Sequence, residues 1–226
     1  MAELRASDRA YAALRADILG WTLEPGTVLG EIEQSTRLGV SRTPLREAFA
    51  RLVADGLVAA QAQPGRGVVV VELGRADIVE LFEARQALEE QAAALAATRR
   101  ERPVFETLRE EFAHARHLVD AEHRPQYLDL VHRFDEAMDV AAGNAYLVTA
   151  IRQLRTHLAR VRSLSHDQPE RLVQAAGEHL LIAEAVAAGD AELARSATRV
   201  HLHNSLRSIL ASVEAGRLTP PTRKTA

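Results

Sequence analysis

Apolar positions along the first third of the chain recur with two different periods, and the change from one to the other outlines a small module. Tyr11, Leu14, Ile18 and Leu19 fall on one stripe of a helical period, Pro25-Gly26 marks a turn, and residues 31–38 form a short second helix that ends at the Gly39 turn. Thr43 followed by Pro44 reads as an N-cap and the residue best tolerated at the first helical position, so a third helix is predicted to start there. Its apolar stripe is Leu45, Ala48, Phe49, Leu52 and Val53, and Gly56 supplies the left-handed position that ends it. Residues 57–63 and 67–71 are β-prone runs about a Pro64-Gly65-Arg66-Gly67 turn, the pattern of a hairpin. Three helices followed by a hairpin predict a winged helix-turn-helix.

From Gly74 onward strand signals disappear. Alanine-rich helical patterns run over 77–99, 103–121, 125–142, 145–164, 171–188 and 190–215. They are separated by Arg102-Pro103, Arg124-Pro125, Gly143-Asn144, a break at 165–169, and Gly189-Asp190. The fold class expected is mainly α: the winged helix over 1–74, then an antiparallel all-helical bundle over 75–216. Residues 217–226, with Pro220-Pro221 and basic residues, are expected to form a disordered tail.

Arg42 and Arg46 lie off the apolar stripe at the N-terminal end of the third helix, the end that meets base edges when such a helix enters a major groove. Guanidinium matches guanine O6 and N7 bidentately, at about 1–3 kcal/mol of discrimination per good pair. Arg66 sits at the predicted wing tip. The chain's formal net charge of −3 looks wrong for a DNA binder, and residues 1–74 hold 8 arginines against 9 carboxylates. Affinity must therefore come from a local basic cluster and from dimerisation, and should fall steeply with salt. There is no cysteine, hence no disulfide or thiolate site. With no signal-peptide pattern and no apolar run of membrane-spanning length, a cytoplasmic protein with no membrane partner is expected.

Polar residues interrupt the bundle's apolar stripes. Arg85 lies among Ile78, Leu81, Phe82 and Leu88; Asp135 among Leu128, Val131 and Met138; His179 among Leu172, Ala176, Ala183 and Val186. The last helix presents a small, polar face of Ala194, Ala197, His201, Asn204 and Ser208. Counted from the Gly189 turn, His179 and His201 sit within roughly 3 Å of the same level in an antiparallel pair. A buried arginine and carboxylate are costly unless paired or ligated. Either Arg85 and Asp135 form an ion pair beside two core histidines, or the four residues line a polar cavity, which is the reading adopted. Glu111-x-x-His114 has the spacing of half a di-iron site but no second copy, and His132 has solvated neighbours, so both are read as surface.

Residues 7–74 resemble the winged-helix domain of GntR-family transcriptional regulators, through Leu23-x-Pro25-Gly26, Leu29-x-Glu31, the run from Leu38 to Ala48, Leu52, Gly56-Leu57-Val58 and Arg66-Gly67. The resemblance implies operator contacts from Ser41, Arg42, Thr43 and Arg46, with Arg66 and Gly67 on the wing, in a homodimer on double-stranded operator DNA. Gln34 stands where the family has leucine, and Ile32 is expected to supply the missing apolar contact. Residues 75–215 resemble the helical ligand-binding domain of the FadR-type subgroup, through Glu83-x-Arg85-x-x-Leu88-Glu89, Phe134-Asp135, Glu178-His179 and His201-Leu202. Many members of that subgroup bind a divalent metal through an aspartate and three histidines, with a small carboxylate effector completing the site. Aligned back from Asn144, the aspartate falls on Val131 and the first histidine on Asp135, while His179 and His201 keep their places. Two readings follow. Asp135, His179 and His201 hold zinc, nickel, iron or manganese, or Arg85, His179, His201 and Asn204 bind the effector with no metal. The function expected is a repressor sensing an organic acid and having no catalytic residues. A metal-dependent enzyme in the helical half, or a vestigial pocket used only for dimerisation, are the alternatives.

Overall fold

The computed structural model describes residues 5–61, 67–99, 102–115, 123–162 and 169–215. In the N-terminal part, α1 (Ala6–Leu19) buries Ala10, Leu14 and Ile18, and α3 (Arg42–Ala54) buries Leu45, Ala48, Phe49 and Leu52 against them. α2 (Glu31–Leu38) packs on α3. β1 (Val28–Leu29), β2 (Val58–Ala60) and β3 (Val68–Val70) form an antiparallel sheet in the order β1-β3-β2, with Val28 opposite Val69 and Val58 opposite Val70. The winged helix is as expected except for β1, whose two residues are too few to show an alternating pattern. The turn at Pro64-Gly65 and the wing-tip Arg66 lie outside the described residues.

Two local expectations are corrected. α3 starts at Arg42 with Ser41 as its N-cap, placing Pro44 third in the helix. Any of the first-turn positions suits proline, because none of their N–H groups has an intrahelical partner. Ile32 does not replace the apolar contact missing at Gln34: Ile32 is 67% exposed while Gln34 itself is buried at 2%. The buried amide is satisfied by Arg37, whose Nε donates to Gln34 Oε1 at 2.7 Å, and Arg37 in turn reaches Asp17.

The helical part consists of α4 (Arg75–Thr98), α5 (Arg102–His114), α6 (Arg124–Ala142), α7 (Ala145–Arg162), α8 (Pro169–Ala188) and α9 (Ala191–Glu214). Pro125, Gly143 and Gly189 punctuate it where expected. Asp190 caps α9 by accepting a hydrogen bond from Leu193 N at 2.9 Å. Residues 116–122, 163–168 and 217–226 lie outside the described residues. Buried alanines on α4, α8 and α9 let these helices approach closely, and Phe105, Phe112 and Phe134 meet edge to face beneath them. Among the described residues no helix is long and apolar enough to cross a membrane.

α7 joins the two parts. Trp21 Nε1 donates to the carbonyl of Arg160 at 3.4 Å, and Arg160 Nη2 donates to the carbonyl of Val71 at 2.8 Å. Trp21 has a backbone φ of 58°, an unfavourable value for a bulky residue, at this junction. Arg160 is 1% exposed, and burial pushes its pKa down to about 10. One turn earlier, His157 lies against Gly56 so closely that a Cβ there would come within 2.8 Å of its Cε1.

Burial, and secondarily the charge of Arg160, hold the His157 pKa below the ordinary 6.5; Asp55, by charge and by a hydrogen bond to its backbone, opposes them. The folded protein therefore keeps this ring neutral at a pH where the unfolded chain already takes up a proton. Its contribution is full above pH 6.5 and is lost as pH falls from there towards the depressed folded value. Thermal midpoints of wild type should fall more steeply than those of His157→Gln as the pH is lowered through this window. Parallel curves would contradict the assignment.

Candidate functional site

Two features of the chain gather the residues singled out in its sequence. The first is the outer face of α3. Its inner positions are committed to the core, so Ser41, Arg42, Thr43 and Arg46 are all left exposed at its N-terminal end. Arg46 is not loose. Its Nε and Nη2 form a bidentate pair with Glu31 at the start of α2, at 2.9–3.0 Å. Glu31 raises the Arg46 pKa, chiefly through these hydrogen bonds. Gly67, expected as a wing contact, is held against the backbone of Leu29, where an added Cβ would lie 1.9 Å from the carbonyl oxygen. That close approach is itself a reason for glycine at this position.

The second feature is a cavity of about 80 Å³ between α4, α6, α7, α8 and α9, with a smaller one of about 40 Å³ beyond it. His179 and His201 border both. Their rings lie 4.5 Å apart, as the helical rise about Gly189 predicts, and both residues are buried. Phe112 stacks on the His179 ring at 5.1 Å and Phe134 meets it edge-on, while Tyr127 Oη lies 3.5 Å from Nδ1. These contacts fix the imidazole in place. Arg85 is buried beside them, above the ring of Phe82.

A polar chain runs along one side. On α8, Arg171 and Glu178 are two turns apart and therefore on one face. Arg171 Nη2 donates to Glu178 Oε2 and to Ser205 Oγ, both at 2.8 Å. Glu178 Oε2 also lies 2.8 Å from His201 Nδ1, and Oε1 accepts from Asn204 Nδ2 at 2.7 Å. His201, Asn204, Ser205 and Ser208 form the small polar stripe of α9. Sequence reasoning missed Arg171 because the apolar stripe of α8 begins one residue later, at Leu172.

The other charges are arranged differently from expectation. Arg85 pairs with Glu89 one turn along α4, at 2.7 and 3.1 Å, rather than with Asp135. Asp135 faces Arg155 of α7, whose Nε is 3.7 Å from its Oδ2, and Arg155 donates to the buried Asp139 at 2.8 Å. Asp135 borders the smaller cavity and Val131 the larger. Of the donors considered for a metal, the one carboxylate, Asp135, is engaged with Arg155, while His201 meets Glu178 through Nδ1. Among the described residues no three histidine, aspartate or glutamate side chains converge into a group able to hold a metal ion, so the residues present do not fit one. His132 lies near Glu136, Glu111 pairs with Arg133, and His114 bonds its own helix backbone; the three expected surface residues behave as such.

Comparison with known proteins gives two family matches. Residues 6–70 match the model for bacterial regulatory proteins, gntR family, and residues 80–204 match the FCD domain. The HTH-type transcriptional repressor RspR of Escherichia coli (strain K12) is 30% identical over 206 residues, covering 90% of this chain and 88% of its own length. An HTH-type transcriptional regulator in an unstable DNA locus of Streptomyces ambofaciens is 30% identical over 213 residues, covering 93% and 86%. Among solved structures, E. coli McbR/YncC is similar with a TM-score of 0.69 over 93% of this chain and 100% of that one. At 22% identity, that is a likeness of fold.

Proposed function

The chain belongs to the gntR family of bacterial regulatory proteins and carries an FCD domain, so it is a transcriptional regulator; from that premise we propose that it is a homodimeric repressor released from its operator by a small organic acid. Residues 1–74 form the DNA-binding module and residues 75–216 the sensing and dimerising one. The observation that carries the proposal is the one-sided α3: a helix fixed to a core on one face and presenting Arg42, Thr43 and Arg46 on the other. In a dimer two such helices read a two-fold operator, with Ser41, Arg66 and Gly67 adding contacts at the helix start and the wing. The protein is proposed to act in the cytoplasm, with no catalytic residues.

α7 supplies the path between input and output. Leu158 borders the larger cavity and Arg155 the smaller one, while His157 and Arg160 of the same helix meet Gly56, Trp21 and Val71. A ligand that shifts α7 therefore shifts the winged helix with it. To release DNA, the acid must bind the non-operator arrangement more tightly, and DNA then weakens acid binding by the same factor by which the acid weakens DNA binding. Arg85, His179, His201 and Asn204 are proposed as effector residues. Asp135, engaged with Arg155, is assigned to the wall of the smaller cavity, and the metal-free reading is favoured because the carboxylate that the other reading needs is already paired and no three such donors converge among the described residues.

A thermal-shift screen of organic acids with and without chelator tests this directly. The expected hit stabilises the protein equally in both conditions, is recovered unchanged, and releases operator DNA. With that acid, His179→Ala should blunt release while leaving acid-free operator affinity within about twofold of wild type. An equal loss of both would make His179 a structural residue.

A further inference from the structure

We propose that α2 takes part in reading the operator: Ile32 packs on the C5-methyl group of a thymine beside the base pair met by Arg46. The proposal rests on the reading of α3 as the recognition helix and extends it to the neighbouring helix.

Ile32 is 67% exposed, more than any other large apolar side chain in the described residues of the winged helix. It stands in the first turn of α2, directly after Glu31. The Glu31 carboxylate, 12% exposed, holds Arg46 bidentately at 2.9–3.0 Å. The start of α2 is thereby fixed beside the recognition face of α3, and the next residue along presents uncovered hydrocarbon.

The direction in which Ile32 points follows from the other contacts of α2. Gln34 is buried and Leu38 packs on the core of the winged helix. Arg37 reaches from one flank of α2 to Asp17 of α1 at 2.6 Å. α1 packs on the inner face of α3 through Leu14 and Ile18, so it lies on the side away from any DNA that α3 meets. Ile32, five residues before Arg37, is about 140° round the helix from it and on the opposite flank. Thr36 shares the flank of Ile32, and its hydroxyl donates to the Ile32 carbonyl at 3.0 Å. DNA seated on Ser41, Arg42, Thr43 and Arg46 therefore meets the Ile32 flank of α2, a continuation of the same surface.

A butyl side chain makes no hydrogen bond to a phosphate or a base edge. The major groove offers it one apolar group, the thymine methyl, and contact removes both hydrocarbons from water. Cytosine at the same place presents an N4 donor and no methyl, so Ile32 discriminates between the two pyrimidines.

The test uses the full chain and duplexes selected from a pool with a randomised centre. Wild type should enrich a two-fold motif in which a thymine adjoins the base pair that Arg46→Ala no longer specifies. Ile32→Ala should select the same motif with that thymine alone relaxed. Replacing the thymine by deoxyuridine in both half-sites removes only the methyl groups; it should weaken wild-type binding about tenfold and Ile32→Ala binding less than about twofold. Should Ile32→Ala fold poorly, Ile32→Gln, a good helix former at an exposed position, takes its place with the same loss of thymine preference expected. An unchanged thymine preference in the variant, or equal deoxyuridine losses in variant and wild type, would overturn Ile32 as the reader while leaving α3 in place. Equal weakening by the variant on selected and scrambled duplexes would also overturn it, making Ile32 a contact without sequence information. No enriched motif with wild type would overturn the reading of α3 on which the proposal stands.

Discussion

Arg46→Ala is expected to weaken binding to the specific operator by at least about 30-fold, with the thermal midpoint unchanged. The side chain is 60% exposed and takes no part in the core, so the fold does not depend on it. Its geometry suits base reading. Glu31 takes the Nε and Nη2 edge of the guanidinium, leaving the outer edge, formed by Nη1 and the second Nη2 hydrogen, directed away from the pair. That outer edge matches guanine O6 and N7, so Arg46 is able to contact a base without giving up Glu31. Two half-sites of a dimeric complex each lose roughly 1–3 kcal/mol, which compounds to the fold-change stated. Anisotropy titrations against specific and scrambled duplexes check it. Equal losses on both duplexes would make Arg46 a phosphate contact that carries no sequence information.

Gly67→Ala should lower the thermal midpoint of the DNA-binding part by roughly 5–10 °C, the largest stability effect anticipated for a single methyl group in this chain. Two penalties coincide. The backbone at Gly67 has a φ of 91°, which L side chains rarely adopt, and the new Cβ would lie 1.9 Å from Leu29 O and 2.9 Å from its carbonyl carbon. The obstruction is backbone, so relief requires β1 to move away from β3 and their pairing to open. Gly39→Ala is the control. Gly39 also has positive φ, 63°, but a Cβ there meets nothing within 4 Å. It should lose only about 1 kcal/mol, the backbone penalty alone. Equal midpoints for the two variants would show that the Leu29 contact relaxes without consequence, and would return Gly67 to a role in DNA contact only.

The helices were legible because proline and glycine punctuate long alanine-rich runs, and because helical rise is constant. The same constancy brought His179 and His201 to one level across the Gly189 turn, and the structure sets their rings 4.5 Å apart. Periodicity does not reveal which partner a charged side chain selects. Arg85 had a carboxylate one turn along its own helix, and Glu89 was nearer than Asp135 on another. Asp135 turned to Arg155, whose helix no stripe placed against it. Arg171 was hidden for a related reason: it lies in a first helical turn outside the apolar stripe, and only tertiary packing carries it into the cavity. β1 was too short for any pattern, and Gln34 found in Arg37 a polar solution to what had been read as an apolar problem.

The central claim is sequence-specific binding of DNA through α3. Its most direct test is the recovery of fragmented genomic DNA from the source organism by the purified chain and by Arg46→Ala, followed by sequencing of what is retained. Wild type should enrich a small set of fragments sharing a two-fold symmetric motif, and Arg46→Ala should enrich none of them. Uniform recovery by both proteins, with no shared motif, would contradict the account.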